Sequence, residues 1–239
     1  MKILTDMHTH TVATTHAYST IDENARAAKE LGLEAIAMTD HGGTIPDAAH
    51  IWHFHNLRAL PREISGVKIL RGIEVNITDI NGTLDMDNDT MRRLDVVIAS
   101  IHRPCYADLD KDDHTTAYIA AIENEYVDII GHSGAPDLKY DYRKVIKRAG
   151  ELGKLIEING NTFNIRKQNI PNCREIALVC KELGTMICVN SDAHHSSMIG
   201  DVGEAVKMLE EIDFPEELIA NRSFATFEEF LKRRGKEIK

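Results

Sequence analysis

The sequence predicts an α/β fold built on parallel strands, in the form of a closed or distorted barrel or of a doubly wound sheet. Short apolar runs recur along the chain, and successive runs end 27 to 35 residues apart. That interval accommodates one strand and one crossover helix. The runs are continuously apolar, which is typical of parallel strands that helices cover. No Pro/Gly/Ser-rich linker interrupts the pattern, so we expect residues 1–239 to form a single domain.

Seven apolar runs are the predicted strands. They are, in chain order, ILTDM (3–7), EAIAM (34–38), KILRGI (68–73), DVVIAS (95–100), DIIG (128–131), LIEI (155–158) and ICVN (187–190). The segments between them carry helix signals. Thr20 followed by Glu23 predicts a capping box at the start of a helix, and Asn172 followed by Glu175 predicts a second one.

Composition and charge exclude several classes of protein. A chain with 43% hydrophobic and 28% charged residues can bury a sizeable core, which excludes disorder. No apolar run approaches the roughly 18 residues of a membrane span, and the polar N-terminus does not resemble a signal peptide. We therefore expect a soluble, cytoplasmic protein. The net charge of −10, without a large basic block, argues against a nucleic-acid partner.

Histidine is unusually frequent, with twelve residues in the chain. It is the commonest metal ligand in proteins. Seven of the histidines and two acidic residues follow the predicted strands, where parallel α/β folds place their active sites. The candidate ligands are His8, His10, His16, His41, Glu74, His102, His132, Asp192 and His194. The sixth strand ends instead in Asn159.

Nine ligands exceed what one ion of roughly four to six ligands can use, so we expect more than one metal. His8 and His10 are two residues apart and point the same way in an extended segment, and Asp192 and His194 repeat this spacing. Imidazole with a minority of carboxylate suits zinc, manganese or iron better than magnesium or calcium. Three divalent ions would exceed the negative charge of Glu74 and Asp192, which favours an anionic substrate such as a phosphate monoester.

The motifs resemble those of the PHP family, named for polymerase and histidinol phosphatase. They are DMHTHT (6–11), TDHG (39–42), GIE (72–74), His102 and SDAH (191–194). Within the family, the chain looks most similar to the YcdX-type bacterial phosphatases over nearly its whole length. The resemblance implies a distorted (β/α)7 barrel with a trinuclear zinc or manganese site at the C-terminal ends of the strands.

The resemblance also implies how the ligands divide among three divalent metals. His8, His10, Glu74 and Asp192 would hold the first metal, and Glu74 would bridge to the second. The remaining ligands would be His102 and His132 for the second metal, and His16, His41 and His194 for the third.

The predicted reaction is hydrolysis of small phosphate monoesters by attack of a metal-activated hydroxide on phosphorus. We expect Glu74, His102 and Asp192 to be essential for catalysis. The predicted substrate contacts are Arg103 and Arg166, which suit bidentate binding of phosphate, and Asn159. The expected partner is a small phosphorylated metabolite, with no nucleic acid and no membrane, and the sequence is compatible with a homo-oligomer.

Three other functions are consistent with parts of the pattern. An amidohydrolase-like enzyme acting at carbon also begins with an HxH motif, although a carboxylated lysine commonly bridges its metals. A nuclease or proofreading activity occurs in PHP domains joined to DNA polymerases. A non-catalytic protein that stores metal or serves as a binding module would bind ions without turning over any ester.

Overall fold

The computed structural model describes residues 1–106, 109 and 113–238. Within them, eight strands form one sheet. Their bounds are β1 Thr5–Thr9, β2 Ala35–Met38, β3 Glu63–Ile64, β4 Val67–Asn76, β5 Val96–Ser100, β6 Ile129–Ile130, β7 Leu155–Asn159 and β8 Ile187–Asn190. All strands except β3 correspond to the seven apolar runs and pair in parallel. The two-residue β3 pairs antiparallel with β4.

The sheet is a nearly closed barrel. The strands lie in the order β1-β2-β4-β5-β6-β7-β8, which follows the chain without the reversal that a doubly wound sheet requires. The last strand returns to the first, because Thr9 forms a parallel bridge with Ala193 and the backbone N–H of His10 donates to the carbonyl of Ala193 at 2.9 Å. The predicted distorted (β/α)7 barrel is confirmed.

Helices connect the strands. Their bounds are α1 Ile21–Glu30, α2 Ile51–Asn56, α3 Asn88–Met91, α4 Thr115–Glu123, α5 Tyr142–Glu151, α6 Asn161–Asn164, α7 Ile170–Leu183, α8 Gly203–Glu211 and α9 Phe224–Arg233. Thr20 and Glu23 form the predicted capping box of α1. The second predicted cap is wrong, because α7 begins at Ile170 and Asn172 lies inside its first turn. None of the helices in the described ranges has the length and apolar character of a membrane span.

The barrel interior changes from apolar to polar along the strands. Its lower part contains Leu70, Ile98 and Leu155, together with Phe227 of α9. Because side chains two residues apart share a face of a strand, the inward positions that follow belong to polar residues. These are Glu74, Ser100, Glu157, Asn159 and Asn190, all buried. Apolar packing therefore closes one end of the barrel, and buried polar groups line the end where the strands terminate.

Candidate metal centre

The predicted ligands lie at the carboxyl ends of the strands. His8 lies in β1 and Glu74 in β4, whereas the others follow β1, β2, β5, β6 and β8. Those others are His10 and His16 after β1, His41 after β2, His102 after β5, His132 after β6, and Asp192 and His194 after β8. The strands are adjacent around the barrel, so their loops converge on one mouth.

Glu74 lies at the centre of this group and is fully buried. Its Oε2 atom lies 2.8 Å from Nδ1 of His41, 3.3 Å from Nε2 of His8 and 3.5 Å from Nε2 of His10. One oxygen of the carboxylate thus faces three imidazoles that come from the first two strands.

The second oxygen of Glu74 faces a different set of side chains. Its Oε1 atom lies 2.9 Å from Nε2 of His132 and 3.5 Å from Nε2 of His102. The hydroxyl of Ser100 donates to the same oxygen at 2.6 Å. The carboxylate therefore stands between two groups of imidazoles, which is the arrangement that a bridging ligand needs.

Asp192 faces the imidazoles on the other side of the barrel mouth. Its Oδ1 atom lies 3.2 Å from Nε2 of His10, 3.6 Å from Nε2 of His8 and 3.6 Å from Nδ1 of His194. Asp192 has a φ of 57°, a left-handed conformation that costs a non-glycine residue about 1 kcal/mol. The turn after β8 holds this strained residue against the histidines.

His16 completes a group of imidazoles at the outer edge of the site. Its ring stacks 5.2 Å from that of His41 and 5.0 Å from that of His194, measured between centroids. Its Nδ1 atom lies 2.8 Å from Oδ2 of Asp47, which orients the ring. The side chain is 44% exposed, so this part of the site opens to solvent.

The ligand atoms fit divalent transition metals. Several buried atoms lack a hydrogen-bond partner in the part of the chain that the structure describes, which is costly unless another group satisfies them. They include Nε2 of His8, Nε2 of His10, Nδ1 of His41 and Oε2 of Glu74. Groups of three such residues have ligand atoms within 4.8 Å of one another. Imidazole nitrogens with carboxylate oxygens are the donors that zinc and manganese accept.

Electrostatics keeps the two carboxylates ionised. Burial opposes the charge of Glu74, yet His8 holds the pKa of Glu74 well below its usual range. Burial also opposes the charge of Asp192, and His8 with His10 holds the pKa of Asp192 well below its usual range. Both acids are therefore negatively charged at neutral pH, as ligands of a cation must be.

Burial affects the imidazoles in two ways. It lowers the pKa of His10 to about 3 and the pKa of His102 well below its usual range, so both rings are neutral and free to bind a cation. Burial also opposes protonation of His8, but Glu157 and Glu74 raise the pKa of His8 well above its usual range. A metal bound by His8 must therefore displace a proton, which makes its affinity depend on pH.

Sequence reasoning missed Glu157, which supports two of the ligands. Its Oε1 atom lies 2.7 Å from Nδ1 of His8, and its Oε2 atom accepts from the backbone N–H of His132 at 2.8 Å. The residue is buried on β7. Strand periodicity places Glu157 on the same face as Asn159, two residues later, but only the structure shows that this face points inward.

A second support, also missed, holds His102. Its Nδ1 atom lies 2.7 Å from Oδ1 of Asn76. The side-chain amide of Asn76 donates to Asp85 at 2.6 Å, so the three residues form a chain of hydrogen bonds. Such partners fix the ring orientation of a metal-binding histidine and raise its basicity.

The predicted substrate contacts occupy different positions. Arg166 and Arg103 line a cavity of about 600 Å³ at the barrel mouth, beside His16, His102 and His194. One guanidinium nitrogen of Arg166 lies 3.7 Å from Oδ2 of Asp192, whereas Arg103 pairs with Asp137 at the surface. Both arginines are exposed enough to reach a bound anion.

Asn159 is buried, and its amide is already engaged. Its Nδ2 atom donates to Oε2 of Glu157 at 3.1 Å and lies 3.3 Å from Oδ2 of Asp192. This geometry fits a residue that orients carboxylates. A contact between Asn159 and phosphate stays a prediction.

Comparison with known proteins identifies the family. The model of the PHP domain matches residues 6–182. The chain belongs to the PHP family. A protein of Thermoanaerobacter sp. (strain X514), named a probable phosphatase, is 47% identical to this PHP protein and is aligned over 100% of this chain and 98% of its own. The family and such relatives make the chain a hydrolase of the phosphatase class. A closer kinship with the YcdX-type enzymes stays a prediction.

Solved structures share the fold of this PHP protein. Histidinol phosphate phosphatase from Lactococcus lactis, complexed with zinc, L-histidinol and phosphate, gives a TM-score of 0.62 at 16% identity, over 88% of this chain and 94% of that one. A chain of archaeal ribonuclease P with mature tRNA gives a TM-score of 0.60 at 14% identity, over 95% of this chain and 90% of that one. The fold alone therefore does not decide the substrate.

Proposed function

We propose that this PHP protein hydrolyses small phosphate monoesters with three divalent transition metals, zinc or manganese. One observation carries the proposal: the buried carboxylate of Glu74 presents each oxygen to a different group of imidazoles, beside a cavity of about 600 Å³. Ligand pockets for small molecules have volumes of about 300–1,000 Å³, so the cavity suits a metabolite.

In this proposal the nine predicted residues hold the ions. Glu74 would contribute to holding two of them, and Asp192 would complete the set around His8 and His10. When bound, divalent ions lower the pKa of water and neutralise the charge of phosphoryl oxygens. The zinc in the Lactococcus lactis phosphatase makes zinc the first metal to test.

Side chains of this protein supply the remaining requirements. Glu157 and Asn76 keep the rings of His8 and His102 oriented, so that the ligand set does not reorganise during turnover. Arg166 lies at the cavity wall, where its guanidinium can donate two parallel hydrogen bonds to a phosphoryl group.

Apolar residues in the lining of the same cavity offer a surface for the organic part of the substrate. Ile45, Ile165 and Met198 line the same cavity as Arg166 and give its lining an apolar part. A phosphate ester whose organic part has an apolar face would bury that face here, since burial contributes about 25 cal/mol per Å². We therefore propose small phosphorylated metabolites, not polymers, as substrates.

The test is hydrolysis of p-nitrophenyl phosphate by protein loaded with zinc or with manganese. We expect His102→Ala and Asp192→Ala to lower kcat/KM by at least about a thousandfold, because each removes a ligand from a site that works as a unit. His50→Asn is the matched control. His50 caps α2 away from the cluster, and asparagine is a favoured capping residue.

The same preparation distinguishes the alternatives. Faster turnover of amides or lactones than of phosphate esters would favour the amidohydrolase-like reading. Degradation of single-stranded DNA at physiological salt would favour a nuclease. Metal binding without turnover of any ester would leave a storage or binding protein, and full activity in both ligand variants would refute the assigned site.

A further inference from the structure

A second cavity, of about 660 Å³, lies far from the metal centre and is strongly basic. Six of its lining side chains are basic and two are acidic. The basic residues are Arg62, Arg71, Arg92, Arg93, Lys232 and Lys236. The acidic ones are Asp95 and Glu237. We call it the lower cavity, because it lies at the opposite end of β5 from the metal centre. Asp95, in the lining of the cavity, directly precedes β5, and His102 of the metal centre follows it. At the rise of a strand, the length of β5 separates the two by roughly 15 Å.

Four of the basic side chains have carboxylate partners. Arg62 pairs with the nearly buried Asp95, and Lys236 pairs with the buried Asp128. The other two, Arg92 and Lys232, pair with exposed acids on their own helical segments. Exposed pairs of this kind contribute little net stability, so they are easily exchanged for another anion.

Arg71 has no carboxylate partner for its guanidinium within the described part of the chain. Its Nη2 atom donates to the carbonyls of Arg58 at 3.0 Å and Leu60 at 2.7 Å, and its Nε atom is buried without a hydrogen-bond partner. Asp95 is near, but it accepts from the backbone N–H of Arg71 at 2.7 Å and from Arg62. Burial and the charge of Arg62 lower the pKa of Arg71. Positive charge is therefore crowded and only partly compensated here.

Arg93 is exposed and, among the described residues, makes no ion pair. Together with Arg71 it also lines an adjoining cavity of about 220 Å³, whose wall includes Arg58 and His55. Two guanidiniums without carboxylate partners among the described residues thus line both cavities. The guanidinium of Arg93 presents a fork of donors that matches one phosphate group. Arg71, whose Nη2 atom is engaged by two carbonyls, contributes mainly its positive charge.

We propose that the lower cavity binds a small anion with two or more adjacent phosphate groups. Apart from charged residues its lining is Leu94 and Gly235, so recognition depends on the phosphates and not on an apolar body. The chain as a whole carries a net charge of −10, which disfavours long polyanions and leaves the concentrated positive charge to a compact one. The site is separate from the proposed catalytic cluster and shares no residue with it.

The probe is inorganic tripolyphosphate, titrated calorimetrically into the metal-loaded, full-length protein. Beyond the heat of metal chelation, we expect a binding event that Arg93→Gln weakens by about tenfold or more, because a charge-assisted contact contributes about 1.5–3 kcal/mol. This variant removes no hydrogen bond or ion pair of the described fold, so it should unfold at the wild-type temperature. Chelation of the loaded metal by the probe is common to every variant and cancels in the comparison.

The matched control is Arg174→Gln, which removes an exposed arginine of α7 that pairs with Glu211. Its affinity for tripolyphosphate should stay within about twofold of wild type. Equal affinities of Arg93→Gln and wild type would overturn the proposal, as would absence of binding to wild type. Tighter binding of a single-stranded oligonucleotide than of tripolyphosphate, lost in Arg93→Gln, would also overturn it in favour of a nucleic-acid surface.

Discussion

Glu74 and Asp192 place two buried negative charges among the imidazoles of the barrel mouth. Among the residues that the structure describes, Arg166 is the only lysine or arginine at salt-bridge distance from either acid, and it lies 3.7 Å from Asp192. Histidines therefore provide most of the stabilisation that keeps both acids ionised. A neutral imidazole cannot do this alone, so cations bound between the rings and the acids would complete the charge balance.

The contact between Glu157 and His8 predicts how strongly the site binds metal. Glu157→Gln keeps the size of the side chain but replaces the carboxylate that faces Nδ1 of His8. We expect metal affinity to fall by about 10- to 100-fold, since outer partners of metal-binding histidines have effects of that size. Equilibrium dialysis against a competing chelator measures this affinity.

The control for that experiment is Glu123→Gln, because Glu123 is exposed and pairs with Arg148 on the outside of the barrel. It should bind metal as wild type does. A Glu157→Gln protein that retains wild-type metal affinity would show that His8 does not need its carboxylate partner.

Individual site residues could be predicted from the sequence where their residue type is unusual for its position. The histidines that follow strands could be recognised because none of the seven apolar runs itself contains a histidine. Glu157 could not, because an acid inside a strand is as readily read as a surface position. Only the register of β7 shows that it faces inward.

Strands bring the site together through close packing at their carboxyl ends. Gly131 directly follows β6, and a Cβ atom there would lie 2.2 Å from Oγ of Ser100 and 2.9 Å from Cγ2 of Ile98. The same Ser100 hydroxyl donates to Glu74. The absence of a side chain at Gly131 therefore leaves the space that this hydrogen bond occupies.

Replacing Gly131 by alanine should force the new Cβ atom against Ser100. It should lower the free energy of unfolding by about 1–3 kcal/mol, as overpacking of a buried site does, and reduce phosphatase activity by displacing Ser100. Adding Ser100→Ala removes the clashing hydroxyl, so the double variant should recover part of the lost stability. Urea denaturation of both single variants and the double variant measures the coupling, and strictly additive losses would contradict the proposed contact.

Apolar runs predicted the strands because burial on both faces leaves a continuous signal. The helix starts were less predictable. Thr20 caps α1 as its pattern indicates, but α7 begins before Asn172 because Pro171 suits the first turn, where its missing N–H is not needed. The two-residue β3 gave no signal at all, since a hairpin arm of that length lacks periodicity.

The two ends of the barrel differ in composition, since one is packed with apolar side chains and the other contains the candidate ligands. Apolar side chains, including Phe227 and Phe230 of α9, fill one end, and the candidate ligands occupy the other. Nearly complete closure brings β8 beside β1, so that Asp192 meets His8 and His10, although they are far apart in the sequence. Seven apolar runs left the barrel and the doubly wound sheet as alternatives, and the strand order together with the contacts between the first and last strands decides between them. That residues 1–239 form one domain stays a prediction.

The central claim is that nine residues of the barrel mouth hold three divalent cations. The most direct measurement is an anomalous difference map from crystals of zinc- or manganese-loaded protein, recorded at the absorption edge of the metal. We predict three peaks per chain, two of them flanking Glu74 and the third among His16, His41 and His194. A single peak, or peaks bound by residues outside these nine, would contradict the account.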